Sequence, residues 1–393
     1  MFAVFRAIRK PFIRLSVLFS FLWLAACDDV TMSLPSTGGN INTGEPVPVA
    51  LLVPRGSAIS GDDVVAASLE NAARLAVSDL QGVEVDLRVY STAGEAGEAS
   101  IAAKQAVADG AEIIIGPLRA ESANAAAVAV AGKGVNVLSF SNNTTIAGGN
   151  LFVLGSTFQN TANRLMGYAV RQGKDRVVVI HDTEIGGQLG KTAISNAIAR
   201  NGGTLVGSVG YELSQEGVRA AVPKVKSAVN SGNANAVFLT STSNAALPFY
   251  AQFLPEAGIR NETTQYIGLS RWDIPAQTLS LPGLQGGWFS LPDPGTSAQF
   301  STRYSSAYGS APHPLASLAY DGVAAVGALA KSGNRDALSA ASLTQGAGFQ
   351  GATGIFRLRP DGTNERGLAV ARIENNQVSI IDPAPSAFAG AGF

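Results

Sequence analysis

The residues able to do chemistry in this 393-residue chain are few, and they gather in short loops. Two histidines and one cysteine exclude a disulfide framework, a four-cysteine zinc site and a multi-histidine metal centre. His181 stands beside Asp182 in the order of a catalytic pair, but no Gly-x-Ser-x-Gly elbow accompanies it. His313 lies in the Pro-rich helix entry Ala311-Pro-His-Pro314. The run Gly186-Gly-Gln-Leu-Gly-Lys-Thr192 occupies the place of a phosphate loop, yet the required spacing needs glycine at Ile185. It reads as a Gly-rich helix start. What remains is a set of small, hydroxyl-rich loops: Arg55-Gly-Ser57, Gly116-Pro-Leu-Arg119, Ser139-Phe-Ser-Asn-Asn-Thr144, His181-Asp-Thr-Glu184, Ser241-Thr-Ser243 and Ser270-Arg-Trp-Asp273. Such loops at helix starts can receive an anionic or polar group of a small ligand; singly, each serine or asparagine serves equally as a turn former or N-cap. The chemistry is recognition, with no catalytic residue, metal or cofactor expected.

The elements that position these loops alternate apolar strands with Ala-rich amphipathic segments, the pattern of parallel βα units. Strands are expected at 47–53, 83–90, 112–115 and 135–140, with helices from about Asp62, Glu95 and Glu121. A second run places strands at 151–154, 176–180, 204–211, 236–240 and 265–269, with helices at 161–172, 187–201, 218–231 and 245–257. In open parallel sheets, ligands bind outside the carboxyl ends of the strands, where each of these loops falls. Further on, 287–292 reads as a short strand and 315–331 as a long helix. Gly354–Leu358 and Leu368–Glu374 suggest a hairpin around Asp361-Gly362. The Ala-, Gly- and Pro-rich residues 382–393 are expected to be disordered.

The net charge of −1 averages two unlike parts. Residues 1–26 carry Arg6, Arg9, Lys10 and Arg14 and no acid, leaving 24 basic and 29 acidic residues in the rest. An acidic chain without a basic stripe argues against a nucleic-acid partner. The basic start, the apolar run Leu15–Leu24 and the small residues after it read as a signal peptide, too short to span a bilayer. Leu24-Ala-Ala-Cys27 resembles the lipobox of bacterial lipoproteins. That resemblance implies cleavage before Cys27, acylation of its thiol, and a periplasmic protein anchored to the inner or outer membrane. Residues 28–45, rich in Ser, Thr, Gly, Asn and Pro, then read as a flexible tether.

Val49-Ala-Leu-Leu-Val-Pro54, Ile113-Ile-Ile-Gly-Pro-Leu118, Val137-Leu-Ser-Phe-Ser141, Tyr320-Asp-Gly-Val323 and Gly351-Ala-Thr-Gly-Ile-Phe356 occur in an order that resembles the leucine/isoleucine/valine-binding-protein family. The resemblance implies a type I periplasmic binding protein: two doubly wound parallel-sheet lobes joined by three hinge crossings around a ligand cleft. Lobe one would comprise residues 46–154 and 288–345, lobe two 155–287 and 346–381. It also implies a non-enzymatic solute-binding component of an ABC importer, closing on a small polar, amino-acid-like ligand. The candidate cleft residues are then Ser57, Leu118, Ser139, Ser141, Asn142, Asn143, Asp182, Glu184, Ser241 and Trp272. Three positions depart from the amino-acid-binding pattern. Ala120 replaces a hydroxyl residue, Ile185 replaces a tyrosine, and no acid stands at Ser243 or Asn244 to meet an ammonium group. These departures match penicillin-binding-protein activators, lipoproteins of the same fold that contact a peptidoglycan synthase, which supplies the alternative reading.

Overall fold

The computed structural model describes residues 39–388; the signal peptide, Cys27 and most of the tether lie outside them. Strand β1 (Val47–Val53) begins the first sheet, joined by β2 (Val85–Ser91), β3 (Ile113–Ile115), β4 (Asn136–Ser139) and β5 (Leu151–Val153) in the order β2-β1-β3-β4-β5. All four pairings are parallel, so both faces need cover and the strands read as near-continuous apolar runs. Side chains alternate between faces. Val49, Leu51 and Val53 pack with helices α1 (Asp62–Asp79) and α9 (Ala316–Ala330), while Ala50 and Leu52 pack with α2 (Ala96–Ala108) and α3 (Ala120–Val130).

The second lobe repeats the plan. Strands β6 (Arg176–Asp182), β7 (Thr204–Tyr211), β8 (Ala236–Leu239), β9 (Gln265–Gly268) and β10 (Trp288–Pro292) are parallel neighbours in the order β10-β9-β8-β6-β7. Helices α4 (Phe158–Arg171) and α5 (Ile185–Arg200) cover one face; α6 (Gln215–Ser231) and α7 (Leu247–Glu256) cover the other. The helices start where short polar side chains accept from the first-turn amides: Thr157 from the Asn160 amide at 3.2 Å, Ser214 from that of Gly217 at 2.9 Å.

Past β10 the chain runs through α8 (Pro294–Tyr308), α9, the short α10 (Ala340–Leu343), and the meander β11 (Phe349–Gly351), β12 (Gly354–Leu358) and β13 (Asn364–Arg366). It ends with β14 (Leu368–Glu374) and β15 (Gln377–Asp382), antiparallel additions beside β10.

This tail of the fold departs from the sequence reading in four places. Trp288–Pro292 belongs to the second sheet, because Trp288 registers with Ile267 on one side and Arg372 on the other. The crossing back to lobe one follows at Asp293, whose carboxylate caps α8 by accepting from the Thr296 amide at 2.7 Å. Residues 346–366, assigned to lobe two, instead contribute Phe349, Phe356 and Leu358 to the lobe-one core. The Asp361-Gly362 turn does form, but its return strand is β13, and Leu368–Glu374 pairs with β10 and β15. Finally, order extends beyond both expected ends. Ile41 of the tether is 3% exposed, with its amide on the Arg335 carbonyl at 2.9 Å. Asp382 closes β15 and is held by Arg164 and Arg171.

Three crossings therefore join the lobes, at residues 154–157, at Asp293 and at Gly367. Asp321 of α9 and Arg366 of β13 lock two of them. The Asp321 carboxylate is 0% exposed and meets the Arg366 guanidinium at 2.8 Å. Its other oxygen accepts from the Ala352 amide at 2.7 Å. Arg366 also donates to the Leu154 carbonyl from Nε at 3.0 Å and Nη2 at 2.5 Å, and lies 5.2 Å from the centre of the Phe356 ring. Asn364, two residues before Arg366, donates to the carbonyls of Val153 at 2.7 Å and Gly155 at 2.9 Å. Removing the carboxylate leaves a buried, uncompensated guanidinium, so Asp321→Ala is expected to lower unfolding stability by about 3–5 kcal/mol in urea titration. The paired replacement Asp321→Leu with Arg366→Met should cost far less. An equal loss in both proteins would show that the charge pairing is not what holds the crossings.

Candidate functional site

The carboxyl ends of the two sheets face a cleft of about 710 Å³, lined from both lobes and the crossings. Its lobe-one wall starts at Gly116, which takes φ +93° and packs against the Leu52 carbonyl where a Cβ would overlap it. The turn sends Leu118, Arg119 and the first residues of α3, Ala120 and Glu121, into the lining. The loop after β4 is braced from within. Buried Ser139 donates to the Pro117 carbonyl at 3.0 Å and accepts from the Ser141 amide at 3.0 Å. Ser141 accepts from the Asn143 amide at 3.1 Å, and Asn143 accepts from the amide and hydroxyl of Thr145 at 3.0 and 2.8 Å. Ser141, Asn142 and Asn143 line the cleft; Ser139 positions them from beneath. The crossing is tied to the same loop, the Leu154 amide donating to the Ser139 carbonyl at 2.8 Å and that of Gly155 to the Ser141 carbonyl at 3.1 Å.

Three guanidinium groups reach the cleft, each with an aspartate behind it. Arg119 makes two bonds to Asp62, at 2.7 and 3.0 Å. Arg271 takes both oxygens of Asp273, one at 2.8 Å, and Arg366 holds Asp321. Hydrogen bonding from Arg119 keeps the Asp62 carboxyl below its ordinary value of 3.8, with the Ser57 hydroxyl adding to the effect and burial opposing it. A carboxyl lowered on folding stabilises the fold above its unfolded value and loses that contribution as pH falls through the folded one. The Asp62 pairing is thus fully present at neutral pH. Ser57 serves this pair and does not line the cleft. Among the described residues that line it, only Glu121 is acidic. Phe140, Phe300, Leu318, Ile274 and Ile355 supply an apolar wall, and on α8 the Ser297 hydroxyl is buried with no partner among the described residues.

Lobe two contributes a smaller pocket of about 210 Å³ at the ends of β6, β8 and β9. Asp182 accepts from the Glu184 amide at 3.1 Å and from the Thr240 hydroxyl at 3.4 Å. Gly187 lies so close that any side chain there would overlap this carboxylate. The hydroxyls of Ser241 and Tyr211 are 3.0 Å apart. Burial pushes Tyr211 up to about 12. Tyr250, whose ring meets Tyr211 edge-on at 5.1 Å, has a buried hydroxyl with no partner. Consecutive residues bridge the two spaces, Ser270 lining the smaller and Arg271 the larger.

Of the ten candidates from the sequence, Leu118, Ser141, Asn142 and Asn143 line the cleft, and Asp182 and Ser241 line the lobe-two pocket. Glu184 is exposed at the start of α5 and lines neither. Trp272 is a core residue, 0% exposed, its indole filling space left by Gly268 and Gly287. Arg271 was within reach of sequence reasoning, because it sits in a loop after a strand. Arg366, Phe300 and His313 come from distant segments whose arrival no local pattern announces.

A sequence profile of the family described as periplasmic binding protein matches residues 46–377. No curated protein matches the sequence. Among solved structures, that of a putative branched-chain amino acid ABC transporter from Rhodospirillum rubrum superposes with a TM-score of 0.71 at 18% identity, covering 86% of this chain and 100% of its own. A leucine binding protein from Thermotoga maritima MSB8 gives 0.55 at 18% identity, covering 86% and 98%. A solute binding protein of an ABC transporter from Rhodopseudomonas palustris BisB5, in complex with 3,4-dihydroxy benzoic acid, gives 0.56 at 15% identity, covering 88% and 99%. The lobes, the crossings and the profile agree: the chain belongs to the periplasmic binding protein family and has its type I, leucine-binding-protein fold.

Proposed function

We propose that the protein is the periplasmic solute-binding component of an ABC importer, and that its ligand is a small molecule joining a carboxylate to an apolar body. The observation that carries this reading is the make-up of the cleft. Guanidinium groups from a lobe-one loop, a lobe-two loop and a crossing share one space with the Ser141–Asn143 loop and an apolar wall, and Glu121 is the single acidic lining residue. The guanidinium N–H donors not spent on Asp62, Asp273 and Asp321 suit a carboxylate. No acid stands at Ser243 or Asn244, where the family resemblance would place the partner of an ammonium group. The cleft volume suits a compact organic ligand, within the roughly 300–1,000 Å³ range of small-molecule sites. The aromatic acid held by the Rhodopseudomonas palustris protein has this chemistry. Closure of the lobes on such a ligand would bring the lobe-two hydroxyls of Ser241 and Tyr211 toward it, and the bound state would be stabilised in proportion to those added contacts.

The anchor rests on the Leu24-Ala-Ala-Cys27 sequence: cleavage before Cys27 and acylation of its thiol would hold the domain at a membrane.

Two measurements test these readings. In thermal-shift and calorimetric titrations, aromatic acids or 4-methyl-2-oxopentanoate should bind in preference to leucine, and Arg271→Gln should weaken that binding by about tenfold, the loss of one charge-assisted contact. Preference for leucine would overturn the carboxylate-without-ammonium reading. No response to any solute, together with capture of a penicillin-binding protein by the folded domain, would replace the importer reading with the activator one. Separately, radiolabelled palmitate should mark the wild-type protein in cells and not Cys27→Ser, which should move to the soluble fraction. Label retained by the variant would dismiss the anchor.

A further inference from the structure

On the other side of the crossings from the cleft lies a second cavity, of about 760 Å³, between α4 and the segment 383–388 that follows β15. Among the described residues Arg164, Arg171, Arg200 and Arg366 line it together with Glu365 and Asp382, and Arg366 is already paired with Asp321. Each acid is already shared by two arginines. Glu365 pairs with Arg357 and Arg359, both at 2.8 Å. Asp382 receives Arg164 Nη1 and Arg171 Nη2 on the same oxygen, Oδ2, at 2.7 Å each. Two guanidinium donors converging on one carboxylate oxygen form an oxyanion cradle, and here the chain's own last strand fills it.

The filling group sits on a light support. The Asp382 side chain keeps 29% of its exposure. The segment after it lies over the third crossing, where Pro385 packs against Gly367, and reaches Phe388, whose ring lies 4.6 Å from the Arg357 guanidinium. Arg164 is held independently of Asp382's carboxylate by donating to the carbonyls of Leu368 at 2.5 Å and Pro383 at 2.9 Å. Arg171 donates from Nη1 to the Gly167 carbonyl at 3.0 Å, so both guanidinium groups keep an anchor when the carboxylate leaves. Leu368, Pro385 and Phe388 add apolar surface, and the volume far exceeds that of an inorganic ion.

We propose that this rear cavity is a second binding site, for a small organic polyanion whose carboxylate or phosphate oxygen takes the place of Asp382 between Arg164 and Arg171. Arg366 and Leu368 line both this cavity and the cleft, so an occupant here contacts the same crossing that positions the cleft. The groups on which this site turns, Arg164, Arg171 and Asp382, do not line the cleft, so it does not depend on the importer reading.

Citrate is the probe, titrated calorimetrically into the intact protein at fixed ionic strength. Wild type should bind it; Arg171→Gln, at a half-exposed position that folding tolerates, should weaken binding by about tenfold. Asp382→Asn removes the internal competitor and should tighten binding several-fold, with circular dichroism confirming the fold. Arg271→Gln, in the cleft, should leave the citrate affinity unchanged. The proposal fails if wild type takes up no citrate, if Arg171→Gln and Asp382→Asn bind as wild type does, or if Arg271→Gln is the variant that loses affinity.

Discussion

Asp321 and Arg366 carry the constraint on which the rest of this molecule depends. Burying a carboxylate and a guanidinium is costly unless each is paired and its remaining donors and acceptors are satisfied. Here the pairing ties helix α9, in the middle of the lobe-one core, to strand β13 just before the third crossing. The same guanidinium binds the Leu154 carbonyl at the first crossing. The lobe-one ends of two of the three connections are thus held by one buried charge pair, so a closing motion turns beyond them and leaves the pair intact. Asn364 reinforces the arrangement by bridging Val153, Gly155 and Asn160.

From that fixed point the cleft follows. The Leu154 and Gly155 amides return to the loop after β4, so the crossing and the polar loop Ser141–Asn143 move as one piece. Parallel strands deliver every such loop to one edge of each sheet, which is why the polar chemistry of both lobes ends up facing the same space. Arg119 and Arg271 are held in that space by their own aspartates and so are pre-oriented, at the expense of part of their charge. Under the proposed reading, such pre-orientation favours oriented recognition of a planar anionic group over strong attraction of any anion.

How far the sequence carried the reading depends on what each element had to bury. Ile113-Ile-Ile115 and Val177–Ile180 are legible as strands because a sheet covered on both faces demands unbroken apolar runs. Strand β10 was legible as a strand and misplaced as to lobe, since sheet membership is set by register with Ile267 and Arg372, partners 21 and 84 positions away. The Asp361-Gly362 turn was visible while its partner strand was not: β13 is the polar triplet Asn364-Glu-Arg366, which carries no strand signal, whereas Leu368–Glu374 beyond Gly367 is apolar and drew the pairing. Trp272 read as a cleft aromatic because it follows a strand, and it is buried because Gly268 and Gly287 leave room for an indole. Asp382 looked like the start of a disordered tail by composition, which cannot register that two arginines on α4 would claim its carboxylate.

By itself, the sequence determined the class of the protein: a recognition protein of parallel βα units, poor in metal ligands and nucleophiles, with hydroxyl-rich loops after its strands and a lipobox-like start. These are properties of composition and of periodicity over a few residues, and they survive whatever the chain does at long range. Only the tertiary structure decided which arginines meet in the cleft, where the lobes divide, and that a second arginine cradle lies behind the crossings. Each of those depends on residues far apart in the chain arriving at one point, and the energy that brings them there comes from burial and pairing across the two cores, which no local pattern encodes.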